Sequence, residues 1–191
     1  MKGESVTTRD SCRVCGFKPL VPLLSLGKLH VSDFVSGQNQ RGKKEKYPLE
    51  LVLCNKKSGG CGLVQLKYTV PPQLLYRNYW YRSGMNKTMS EELRGIAAKA
   101  ESLVHLSGKD HVIDIGANDG TLLRGYIKKP HLVGFEPARN LMKYARKGTT
   151  KIINDFFSFA AWEKAFGLAK ARVITAIAMF YDLEDPNSFV A

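Results

Sequence analysis

From His111 onward the chain alternates short apolar runs with helix-length segments, and that alternation leaves few folds open. "HVIDIG" reads as a buried strand, Asp119 to Lys128 as a helix, and "HLVGFE" as a second strand. Ala138 to Arg146 reads as a helix closed by Gly148, "KIIND" as a third strand, and Ser158 as the cap of another helix. "ARVITAIAMF" is the fourth strand, apolar along its length as an interior parallel strand should be. Strands separated by helices of this length need right-handed crossovers, hence a parallel sheet. The fold class expected is therefore α/β, with a Rossmann-like half-sheet of at least four parallel strands over residues 109–191.

The first turn of that sheet restricts the ligand. In "DIGANDG", Gly116 and Gly120 let backbone come close to a bound group, but Asp114 and Asp119 bracket the turn and the middle glycine of a dinucleotide loop is missing. A carboxylate beside a phosphate is repulsive, so a pyrophosphate is a poor fit. S-adenosylmethionine carries an ammonium and a sulfonium and no phosphate, and it suits glycines and acids in one loop. Glu136 ends the second strand 22 residues after Asp114, where an acid can take both ribose hydroxyls. Asp155 ends the third strand and can accept from the adenine amino group, with Phe156 against the ring. The cofactor set read from the sequence is Asp114, Gly116, Asn118, Asp119, Gly120, Glu136, Asp155 and Phe156.

Residues 1–70 read differently. Residues 1 to about 10 look disordered, "PLELVLC" and "CGLVQLKYTV" read as strands, and "RGKKEKY" as a solvated loop. Too few apolar residues lie here for a self-sufficient core, so a metal staple makes physical sense. All four cysteines of the chain fall in this part: Cys12, Cys15, Cys54 and Cys61. "CRVCGF" is a metal knuckle, and although six residues separate Cys54 from Cys61, the glycines between them allow a bulged turn. A structural zinc held by four thiolates is expected, with no open position for catalysis.

Between these parts, residues 71–108 hold the cluster Tyr76, Tyr79, Trp80 and Tyr81 and then a helix. Its start is read as a capping box of Thr88 and Glu91, and its end at Gly108. Met89, Leu93, Ile96, Ala97, Ala100 and Val104 form its apolar stripe. The start of the chain is polar and its longest apolar run is too short to span a bilayer, so a cytoplasmic protein without a membrane partner is expected. The formal net charge of +12 favours an anionic partner without naming one.

Taken in order, the four-cysteine module, "LCNKKSGGCGLVQL", "YWYRSGMNKTM" and "DIGANDGTLLRGY" resemble the sugar C-methyltransferases. The resemblance covers nearly the whole chain from Cys12. It implies a class I methyltransferase domain behind a zinc domain, a cofactor S-adenosylmethionine, and an acceptor that is a nucleotide-linked deoxy-keto-sugar. It also implies a seven-stranded sheet, whereas four strands are read here. This suggests a piece of a longer enzyme that does not turn over alone and self-associates through the exposed fourth strand. Glu92 stands where such sequences often carry a histidine, and "MFYDLEDP" where many carry Asn and His. Tyr79, Tyr181 and Asp182 remain as catalytic candidates, and the four histidines read as structural. Two other classes use the same parts: a zinc-containing RNA methyltransferase and a non-catalytic binding or scaffold protein. Against the first, the lysines sit in loops rather than on one face, and no nucleic-acid partner is expected.

Overall fold

The structure, a computed structural model, describes residues 5–31 and 45–191. The chain divides into two compact units, one of Met1–Leu75 with Asp182–Ala191 and one of Tyr76–Tyr181. No helix among the described residues is long and apolar enough to cross a membrane.

The first unit is built from short antiparallel strands. Thr7–Thr8 (β1) pairs with Tyr68–Thr69 (β5), so the expected disordered start is ordered from Thr7. Val21–His30 (β2), Lys46–Leu53 (β3) and Val64–Leu66 (β4) form a second sheet in the order β2-β3-β4. Residues 41–44 of the expected basic loop lie outside the described residues. Every residue of β2 is exposed, including Leu23, Leu24, Leu26 and Leu29 at 45–54 %. Among the described residues of this unit, the buried hydrophobic side chains are Cys12, Val52 and Cys54. Antiparallel strands without a packed face need another source of stability, and here sulfur supplies the centre.

The ten C-terminal residues fold onto the same unit. Arg9 donates to both the carbonyl and the carboxylate of Glu184, and the Thr69 hydroxyl donates to the other Glu184 oxygen. Arg13 donates to the Leu183 carbonyl at 2.8 Å, and Asn187 to that of Val14 at 2.8 Å. Asp185 caps the last short helix by accepting from the Ser188 N–H at 3.0 Å.

A short helix at Pro72–Tyr76 (α1) closes the N-terminal stretch of the first unit, and the second unit begins with the aromatic segment and then Lys87–Leu103 (α2). Asn86, not Thr88, caps α2: its side chain accepts from the Met89 N–H at 3.1 Å, while Glu91 lies 3.8 Å from the Lys87 ammonium. Asn caps as well as Ser or Thr, and standing two residues earlier it wins. Leu93 and Ala97 are buried, with Ile96, Ala100 and Val104 packed beside them, but Met89 is exposed. The helix ends at Leu103, well before Gly108.

Strands His111–Ile115 (β6), His131–Phe135 (β7), Lys151–Ile153 (β8) and Ala171–Ala176 (β9) form a parallel sheet in the order β8-β7-β6-β9. The expected parallel α/β sheet is thus present, with the fourth strand beside the first. β9 is an edge strand and stops at Ala176, short of the apolar run that suggested it. Val112, Ile113, Ile115, Val133 and Phe135 make the sheet interior. Ser158 caps Phe159–Phe166 (α4) through the Ala161 N–H, as its position predicts.

One expected helix is absent. Residues 119–128 form turns around a 3-10 segment, Leu123–Gly125. Gly120 has φ +79° and Gly125 lies against α2, where a Cβ would stand 3.0 Å from the Ala97 methyl. Two glycines in ten residues remove the helix's backbone advantage, while the close approach of Gly125 to α2 accompanies the burial of Leu122 and Leu123 in the core. Ala138 to Arg146 is likewise split into a 3-10 turn, Arg139–Leu141, and Met142–Ala145 (α3).

Candidate metal centre and cofactor loop

The four cysteines meet in space. Their sulfurs all lie within 4.8 Å of one another. The Cys12–Cys61 and Cys15–Cys54 pairs are 3.7 and 3.5 Å apart, and none is disulfide-bonded. A tetrahedral zinc with Zn–S near 2.3 Å sets its sulfurs about 3.8 Å apart, so the donor set fits that ion. The wide second pair closes through a bulge: the Cys61 N–H reaches the Cys54 sulfur at 3.2 Å, and Gly62 N–H reaches the Cys54 carbonyl at 2.7 Å. Gly60 has no room for a side chain, because a Cβ would fall 2.5 Å from the Cys54 sulfur. Burial pushes the Cys12 thiol up, but the N–H groups of Cys15 and Val14, followed by Gln65 and Cys61, bring it to about 6. Burial pushes the Cys54 thiol the other way, up to about 12, so of the two it is Cys12 whose neighbouring N–H groups favour the thiolate that a metal binds.

The cofactor loop sits at the end of β6. Gly116, Asn118 and Gly120 all have positive φ, of 76°, 51° and 79°. Met179 packs over Gly116, its Cγ 3.5 Å from where a Cβ would stand, and at Gly120 a Cβ would meet the Ala145 carbonyl at 2.9 Å. Here glycine is required by both conformation and space. The Gly116 and Ala117 N–H groups bond the Phe135 carbonyl at 2.9 and 3.0 Å, which ties the loop to β7.

Two acids sit beneath it. Asp114 is buried, and Thr175 on β9 donates its hydroxyl at 2.7 Å. Burial pushes its carboxyl up, the Thr175 bond draws it down, and the charge of Glu136 pushes it up again, to about 7. Glu136, only 5 % exposed, accepts from the N–H groups of Asn118 and Ala138, each at 2.7 Å. Burial outweighs these bonds and holds it too at about 7. Neither has a basic partner among the described residues. Each Glu136 oxygen still has a lone pair for another donor. These are two buried acids whose charge no neighbouring cation offsets among the described residues.

Asp119 has another use. Its carboxylate accepts from the Gly84 N–H at 3.0 Å and from the Thr121 hydroxyl at 2.6 Å, with Arg82 at 3.6 Å. Asn118 accepts from the Ser83 N–H at 3.0 Å and donates to the Tyr81 carbonyl at 3.1 Å. Arg82 lies over the Tyr144 ring, 3.7 Å from its centroid. Asn118 and Asp119 therefore fasten the aromatic segment to the loop. A cleft of about 370 Å³ opens beside Asp119 among Arg82, Arg94 and Arg124.

The remaining candidates are dispersed. Asp155 is ion-paired to Arg77 at 2.7 Å, and the Arg77 guanidinium lies 4.8 Å from the Phe156 ring centroid. Tyr79 is clamped by Asn140, which accepts from its N–H at 3.0 Å and donates to its carbonyl at 2.7 Å. Tyr181 is 72 % exposed, and Asp182 falls in the first unit. Sequence reasoning missed Arg77, Arg82, Asn140 and Thr175. Of these, Arg82 carried a signal, because "YRSG" sits within a quoted motif.

Comparison with known proteins agrees with this geometry. Residues 12–76 match a family described as "Putative zinc binding domain". The chain is 26 % identical over 179 residues to C-methyltransferase NovU of Streptomyces niveus, an alignment covering 92 % of this chain and 42 % of that protein. The chain thus spans less than half the length of the curated relative it matches. The stretch from Cys12 to Tyr76 matches that zinc-binding domain, and the chain over most of its length is similar to a C-methyltransferase, as its motifs suggested.

Proposed function

We propose that the chain belongs to an S-adenosylmethionine-dependent methyltransferase whose acceptor is a nucleotide-linked keto-sugar. The observation that carries the cofactor is the pairing of a positive-φ loop, Gly116 to Gly120, with two buried acids whose carboxyls burial pushes up to about 7. When bound, the cofactor supplies an electrophilic methyl group on a sulfonium. Glu136 would hold its ribose hydroxyls, the loop amides would admit its backbone-like tail, and Asp114 would lend negative charge beneath it. The acceptor class rests on the resemblance to a C-methyltransferase. For such an acceptor a base on this chain would take the proton beside the ketone, so that the carbon could bond to the methyl as the methyl–sulfur bond breaks and the neutral thioether leaves. Tyr79, Tyr181 and Asp182 are the groups proposed for that side. The four cysteines are proposed to hold a structural zinc, since four thiolates leave no position for substrate.

Calorimetric titration with S-adenosylmethionine, then with a panel of nucleotide-linked keto-sugars, tests both halves. Saturable binding of cofactor and of one keto-sugar is expected. Binding of single-stranded RNA that weakens steeply with salt would instead favour a nucleic-acid substrate.

A further inference from the structure

The sequence assigned Asp155 and Phe156 to an adenine ring, and in the structure both are already engaged by one side chain. Arg77 donates to Asp155 Oδ1 at 2.7 Å, and its guanidinium carbon stands 4.8 Å from the Phe156 ring centroid. A guanidinium offers the two features by which adenine would be recognised: a flat face for the ring and an N–H donor for the carboxylate. Building on the cofactor reading above, we propose that Arg77 is an internal occupant of the adenine subsite, covering Phe156 and Asp155 until a nucleoside displaces it.

The backbone around Arg77 is fixed while its side chain is free to leave. The Arg77 carbonyl accepts from the Arg139 N–H at 3.1 Å, and two residues on Asn140 clamps both backbone groups of Tyr79. The side chains of Arg77 and Asp155 are 28 % and 56 % exposed, so the pair opens toward water. An ion pair this exposed is held weakly and is readily exchanged for a better-fitting donor. Asp155 Oδ1 also accepts from the Phe156 N–H at 2.9 Å, which keeps the carboxylate aimed at the subsite after Arg77 departs. Arg77 therefore competes for the carboxylate and the ring, and sets a threshold that a flat, donor-bearing ring passes.

Calorimetry with S-adenosylhomocysteine, adenosine and methionine tests this on wild type, Arg77→Ala and Arg77→Gln, with ¹H–¹⁵N spectra to confirm each fold. Removing the occupant is expected to tighten adenosine and S-adenosylhomocysteine about three- to ten-fold and to leave methionine unchanged. Weaker or equal adenosine binding by both variants would overturn the proposal and make Arg77 a support of the subsite. An equal gain for methionine would also overturn it, because the effect would not follow the adenine ring. If no protein binds S-adenosylhomocysteine, the cofactor reading itself fails, and the occupant with it.

Discussion

The cysteine unit and the sheet unit bury different things. In the sheet unit, Val112, Leu123, Val133 and Phe135 are almost wholly withdrawn from water, and the fold rests on apolar contact. Among the described residues of the cysteine unit the buried hydrophobic side chains are Val52 and two cysteines, while the leucines of β2 face solvent. One unit is held by area, the other by a cluster of donors and a few long-range arginine bonds. The difference explains why the glycine loop can carry unpaired acids. A well-packed sheet tolerates the cost of two buried carboxyls, which a unit without a core could not.

The sharpest way to break this contrast is through the sulfurs. Cys12→Ser, or chelation, is expected to unfold β1 to β5 while β6 and β7 keep their hydrogen-exchange protection. Equal loss in both units would mean that they do not differ in kind. Conversely, Leu123→Ala should cost the sheet unit about 2–5 kcal/mol in denaturant melts and leave metal content unchanged.

A third prediction uses pH. Asp114 and Glu136 both titrate near 7 in the folded chain, against about 4 when unfolded. Between those values the folded state binds more protons, so stability falls as pH rises from about 4 to 7 and then levels. The sheet unit should be less stable at pH 7.5 than at pH 5 by about 2 kcal/mol for each of the two acids. Glu136→Gln together with Asp114→Asn should flatten the profile across that window. The smallest effect expected is that of Asn86→Ala, about 1 kcal/mol from the lost cap of α2, with little change for Thr88→Ala.

Much of the sheet unit was legible because its strands are continuous apolar runs set apart by helix-length segments. The helix expected at Asp119 was misread because pattern alone cannot weigh Gly120 and Gly125 against the contacts they permit. The start of α2 was misread because Asn86 and Thr88 are rival caps two residues apart. In the first unit the cysteine ligands were readable from spacing, but Arg9 with Glu184 and Arg13 with Leu183 lie more than 160 residues apart in the chain. No local signal marks such pairs. At the cofactor loop the acids and glycines stood out, whereas Arg77 looked like one of many surface cations. Its partners Asp155 and Phe156 were read together and assigned to a ligand, and in the structure both touch Arg77.

The central claim is that the loop and its buried acids hold a cationic nucleoside cofactor, and Glu136 tests it most directly. Calorimetry should show S-adenosylmethionine binding to the 191-residue chain, with Glu136→Ala weaker by about 1–3 kcal/mol as charge-assisted bonds are lost. Binding should also release protons at pH 6 and not at pH 8.5, seen as a buffer-dependent heat. Equal affinity in the variant, or no binding in either protein, would contradict the account.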